Sequence, residues 1–338
     1  MRAGWPTPVQ ARAAIALLAA VLAAGCGAPG GTAAACAAPV RCVSLGRTAS
    51  AVVFSPDGTR FAVGGIGTLR VFDTASGRRV AEMPVREFEP VTELAFSPDG
   101  RQLATPVEGG ARLWDAATGR PAGTLTGHAR VPLDIAFSPD GRWLAGAGHN
   151  GVVRIWDVIA GRTFLTLPSG ADRVDTVTFS PDRTTLAAAG SDGAIRVWRL
   201  PDGAPVRTLA GHAGAVRELS YAPLGGLLAS AGEDGTVRVW NLATDAGTVL
   251  SGHDGAVHEV VFCPDGKTVA SGGGDGTVRL WQVRTAAQRA VLESRVHDAD
   301  GRLSAVIGIA VSPDGSTLAV ADGGEQLRMW QVGELVAA

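Results

Sequence analysis

Few residues of this chain have types and spacings that could do chemistry, and most of those lack a partner that the chemistry requires. His258-Glu259 begins like the zinc-binding helix of a metalloprotease, but position 262 is Phe where the second histidine is required, and the segment reads as a strand. Gly266-Lys267-Thr268 resembles the end of a phosphate-binding loop, yet Val261 occupies the place of its first glycine and the run falls in a turn between strands. Asp298-Ala299-Asp300-Gly301 offers two carboxylates and a glycine without the remaining ligands of a calcium loop, so it reads as a solvated loop. No G-x-S-x-G elbow is present, and no His/Cys group has metal spacing. Cysteines stand at 26, 36, 42 and 263 with no C-x-x-C pair. Cys36 and Cys42 are compatible with a disulfide or with two thiols, and Cys263 takes the serine position of a recurrent turn, where a packed thiol is expected. Neither a cofactor nor a metal is expected.

The elements that carry these residues follow from composition and period. The chain has 338 residues, 46% hydrophobic and 18% charged, enough for a core and too apolar for general disorder. Formal net charge is −2, which removes the positive field that non-specific nucleic-acid binding requires. Glycine is in excess, 46 residues, while Trp reaches 8 against a single Tyr, so many turns and a few specific indoles are implied.

The N-terminus reads as an address. Arg2 and Arg12 precede the apolar run Ala13 to Ala24, which is too short for a permanent bilayer span. Its end, Leu22-Ala23-Ala24-Gly25-Cys26, resembles the lipobox of bacterial lipoproteins, with Ala23 where that family prefers Leu. The resemblance implies cleavage before Cys26, lipidation (palmitate among the acyl chains) of that cysteine, and a protein held on the outer face of the cytoplasmic membrane. The expected division is a signal peptide over 1–25, lipidated Cys26 with a flexible linker over 26–39, and one folded unit over 40–338. The mature chain would then carry 28 basic and 32 acidic residues, a net charge of −4.

That folded unit is one segment written seven times. A turn related to Phe-Ser-Pro-Asp-Gly places prolines at 56, 98, 139, 181, 223, 264 and 313, and an aromatic marker recurs at Phe72, Trp114, Trp156, Trp198, Trp240, Trp281 and Trp330. Both keep a period of 41 or 42 until a final step of 49. Within one unit, Val216 to Tyr221, Leu227 to Ser230 and Thr236 to Trp240 read as strands separated by Pro223 and by Asp234-Gly235. Each unit is a short antiparallel meander that cannot bury both faces alone, so seven copies must cover one another in a ring.

With Trp114-Asp115, Trp156-Asp157 and the Gly-His pairs at 127–128, 211–212 and 252–253, the chain resembles the WD-repeat β-propeller family over residues 40 to 338. The resemblance implies an all-β, seven-bladed propeller of four-stranded antiparallel blades. It also implies hydrogen-bonded structural tetrads, matched here as His212, Ser230, Asp234 and Trp240, and as His253, Ser271, Asp275 and Trp281. Blade 3 keeps His128 and Trp156 with Asn150 for the acid, and blade 4 keeps Asp192 and Trp198 with Gly170 for the histidine. A histidine near a carboxylate could move protons. Its repetition in separate blades fits a scaffold bond instead, so no catalytic residue is assigned and no enzyme is expected.

Too few residues follow Trp330 to make an outer strand for the last blade. Val40 to Leu45 is therefore predicted to pair with that blade and close the ring. Partner binding is expected on the loops of a monomeric propeller, with an unidentified protein or peptide as partner. An insertion of about eight residues near Glu293 to Leu303 bears Arg295, His297, Asp298 and Arg302, and Phe88, Glu89, Arg130, Arg173 and Glu233 stand at the same loop level. Phe88 is the expected anchor. Two other readings stay open: a propeller enzyme or small-ligand protein using the central channel, and a cytoplasmic scaffold with a different N-terminus. Polar residues converging on the channel mouth would mark the first of these, and along the sequence the polar positions scatter among blades.

Overall fold

A computed structural model describes residues 41–45, 48–85, 90–294 and 304–333. Among them, twenty-eight strands form seven four-stranded antiparallel sheets, each in the strand order of a meander except where the ring closes. Blade 1 is Ala51–Phe54, Arg60–Gly65, Thr68–Asp73 and Arg79–Glu82. Blade 5, for comparison, is Val216–Tyr221, Leu227–Gly232, Thr236–Asn241 and Gly247–Ser251. No helix among the described residues is long and apolar enough to cross a membrane.

The repeated turn explains why the first two strands of a blade fold back on one another. In blade 1 the Ser55 hydroxyl donates to Asp57 Oδ1 at 2.6 Å, the Thr59 amide donates to the same oxygen at 3.0 Å, and Gly58 takes φ of 69°. A side chain at Gly58 would strain that left-handed backbone. Blade 5 departs from this pattern with Ala222-Pro223-Leu224-Gly225-Gly226, where two glycines in left-handed conformation replace the Ser-Asp bond and Leu224 stands almost fully exposed.

Both faces of each blade are covered by the neighbouring blades. Ile155 and Leu167 of blade 3 pack with Val177, Phe179, Leu186 and Trp198 of blade 4 in one continuous cluster, and equivalent clusters fill the other intervals. The core is thus a set of walls between blades.

Closure occurs as the sequence predicts. Arg41–Ser44 pairs antiparallel with Gln326–Gln331, with Cys42 opposite Arg328 and Val43 opposite Leu327. The seam also reaches blade 1, because Arg41 donates to the Thr74 carbonyl at 2.8 Å and Arg70 donates to the Leu45 carbonyl at 2.5 Å. The signal peptide, Cys26 and the linker lie outside the described residues.

Candidate functional site

The tetrads form as matched. In blade 5 the Trp240 indole N–H donates to Ser230 Oγ at 2.9 Å, Ser230 Oγ lies 2.7 Å from His212 Nε2, and His212 Nδ1 lies 2.9 Å from Asp234 Oδ2. Blade 6 repeats the chain at 2.8 Å for Trp281 to Ser271, 2.8 Å for Ser271 to His253 and 3.1 Å for His253 to Asp275. With His Nδ1–H donating to the carboxylate, every group in the chain is satisfied. Burial would raise the Asp234 carboxyl, but the Ala213 amide, the Thr236 hydroxyl and His212 together hold it down at about 2. Burial pushes the His212 imidazole below its usual range, and its side chain is 0% exposed, so no substrate reaches it. These are ties that hold the loop before a blade to its second and third strands. Replacing Ser271 by Ala strands two buried nitrogens, and we expect a loss of about 2–4 kcal/mol in urea unfolding. An unchanged midpoint would mean that the tie carries no stability.

Other blades solve the same problem differently. Thr105 accepts the Trp114 indole at 3.0 Å. In blade 3, Gly146 takes the serine position, because a Cβ there would lie 2.8 Å from the Trp156 ring, and that indole donates to the Thr126 carbonyl at 2.8 Å. Asp192, with no histidine to meet, pairs with Arg196 at 2.5 Å.

A second constellation was not legible from residue type. The first strands of blades 4, 5 and 6 carry register irregularities at one position, between Val174 and Thr176, Val216 and Glu218, and Val257 and Glu259. The extra residues are Asp175, Arg217 and His258, and a bulge re-aims its side chain where a regular strand would alternate. Asp175 accepts from Arg173 at 2.9 Å and from Arg217 at 3.3 Å, and Arg217 also pairs with Glu233. Two of the residues singled out from sequence, Arg173 and Glu233, are thereby linked across blades 4 and 5 on the face that carries the blade-to-blade loops. Burial raises the Asp175 carboxyl against the pull of both arginines, and it lowers His258, helped by Arg217. Arg130 is exposed on the loop before blade 3. Phe88, Glu89, Arg295, His297, Asp298 and Arg302 lie outside the described residues.

The scatter of polar positions read from sequence needs correction. Counted five residues before each turn proline, blades 2, 3, 5 and 6 place Glu93, Asp134, Glu218 and Glu259 at one level of the inner strands, all at most 1% exposed. Blade 4 has Thr176 there. The side chains reach across to the next inner strand, whose channel edge has no partner strand: the Val177 amide donates to Asp134 at 2.7 Å, and the Leu219 amide to Thr176 at 3.2 Å. No donor reaches either oxygen of Glu93, so a bond between the Glu93 and Asp134 carboxyls requires that one keep its proton. Burial, then Asp134, Glu218 and Glu259, push Glu93 well up, and burial raises Asp134 to about 7 and Glu259 well above the usual range. Glu93 and Glu218 sit three blades apart, so they act on each other through the channel. Ring closure makes positions 42 residues apart neighbours, which the linear order hides.

Residues 119–157, 162–199, 203–241 and 246–282 each match the family model described as WD domain, G-beta repeat. The chain therefore carries four tandem WD repeats on a seven-bladed ring. Each matched segment runs from the outer strand of one blade to the third strand of the next, which is the stagger that leaves the last blade needing Arg41–Ser44. No curated protein sequence matches the chain significantly.

Proposed function

We propose that this chain is a non-enzymatic scaffold that binds a protein or peptide on the loop face of its propeller, exported and held at the outer face of the cytoplasmic membrane by lipid on Cys26. The observation that carries the binding reading is the bulged trio Asp175, Arg217 and His258, with Arg173 and Glu233 tied into it. A rigid ring that fixes both charge signs at a loop face lowers the ordering cost of association. The acidic net charge of the mature chain argues against nucleic acid as the partner.

Crosslinking capture with the tethered protein tests the surface. Arg217→Glu should reduce recovery of the specific partner at least tenfold, about 1.4 kcal/mol, with the unfolding midpoint as a control for folding. Deleting 294–302 asks separately whether the inserted loop contributes. A set of captured proteins unchanged by Arg217→Glu in a folded variant would sink the loop-face reading. The anchor is tested by palmitate labelling that depends on Cys26 and by globomycin-sensitive processing, and a soluble, unprocessed chain would overturn it.

A further inference from the structure

The opposite end of the channel has no role in that reading. On the face formed by the Pro-Asp-Gly turns, a cavity of about 380 Å³ opens on the axis. Six of the seven turn prolines ring it, and Phe96, Phe137, Phe179, Tyr221 and Phe262 line its wall. Its volume and apolar wall suit a small organic ligand. The lining residues three positions before each proline, among them Ala136, Thr178 and Ser220, lie two residues along the same strands from the carboxyl layer, roughly 7 Å at strand rise. Beneath the cavity lining the channel therefore has an acidic floor: Glu93, Asp134, Glu218 and Glu259 stand on four blades around one axis, with the neutral Thr176 between them, and none of the four lines the cavity itself. Among the described residues no arginine, lysine or histidine pairs with Glu93, Asp134 or Glu259, and the charges acting on Glu93 are all acids. Glu93 is 0% exposed with neither oxygen bonded by a donor. Glu93, Asp134 and Glu259, buried acids with no cationic side chain paired to them among the described residues, favour a cation brought from outside.

We propose that the turn-face end of the central channel binds a small organic cation, an aromatic or branched apolar body seated among Phe96, Phe137, Phe179, Tyr221 and Phe262 with its ammonium directed at the carboxyl layer of Glu93, Asp134, Glu218 and Glu259. The apolar wall supplies affinity and the floor supplies the sign of the charge. An anionic ligand of the same shape would meet the acids and be rejected. The site is independent of the loop-face surface, so either can fail without the other.

Calorimetry with 3-phenylpropylammonium, its neutral counterpart 3-phenylpropanol and 3-phenylpropionate tests it directly on the full propeller. The ammonium should bind about tenfold more tightly than the alcohol, and the carboxylate should bind more weakly than both. Because the cation draws protons off the floor, its affinity should rise severalfold from about pH 6 to 8 while that of the alcohol stays flat. Glu93→Gln combined with Asp134→Asn should bring the ammonium to the level of the alcohol and leave the alcohol unchanged. If that variant fails to fold, the pH dependence of the wild type decides alone. Equal affinities for the ammonium and the alcohol with no pH dependence, or no binding by the ammonium, would overturn the proposal.

Discussion

Deleting residues 38–46 lowers the midpoint of thermal unfolding by roughly 10 °C, corresponding to about 5 kcal/mol, and removes hydrogen-exchange protection from residues 325–332. The size follows from what the strand does. Four residue pairs join Arg41–Ser44 to the last blade, and Val43 and Leu45 are 7% and 5% exposed. Ladder bonds are worth about 1 kcal/mol each and a buried aliphatic side chain about 1.5–3. The loss also opens the Arg41 and Arg70 bonds to blade 1, so two blades come apart at one seam. Without the strand, Gln326–Gln331 becomes an unpaired edge, and some association of the truncated chains should accompany the lower midpoint. An unchanged midpoint and unchanged exchange would mean that the ring holds without its closing strand.

The second large effect is a loss of stability as pH rises from about 6.5 to 8, reversed by Glu93→Gln. Burial raises the folded-state carboxyls of Glu93, Asp134 and Glu259 above their unfolded values near 4. Such groups stabilise fully below the unfolded value, and that stability is lost as pH climbs through the folded one, about 7 for Asp134. Three histidines, the buried His128 and the partly buried His212 and His258, are lowered mainly by burial and act in the opposite sense, adding stability as pH rises to about 6.5 and nothing beyond. Above that point the acids alone set the slope, at up to about 1.4 kcal/mol per pH unit for each group still protonated in the fold. Glutamine at 93 keeps the size, donates to Asp134 and cannot ionise, so it should flatten the slope and raise the midpoint at pH 8 by several degrees. At the acid end the order reverses, because Asp234 and Asp275 are held low by their tetrads and lose that stability as pH falls below about 4 toward their folded values. A flat profile between 6.5 and 8 would refute a proton-holding channel.

Local signals in the chain carried the blades. The Pro-Asp-Gly turns and the aromatic marker recur at one period because each blade solves the same local problem, a hairpin followed by a buried strand. Ser230, Asp234 and Trp240 could be matched for the same reason, since a tetrad spans little more than one repeat. The closing strand was legible from an arithmetic gap, three strands where four were needed. What stayed hidden is of another kind. Asp175, Arg217 and His258 look like ordinary strand positions until a bulge re-aims them at one end of the ring, and a one-residue slip in register leaves no mark on residue type.

The sequence by itself therefore determined the repeating unit, the number of blades and the way the ring is fastened, because those depend on turns, periodicity and pairing between near neighbours. Only the tertiary structure decided which polar residues meet. Glu93, Asp134, Glu218 and Glu259 were visible at equal distances before their turn prolines, yet equal register becomes convergence only when the sheets stand around one axis. The ring then places four carboxyls at one buried level, where low dielectric raises Glu93, Asp134 and Glu259 and the neighbouring acids raise Glu93 and Glu259 further.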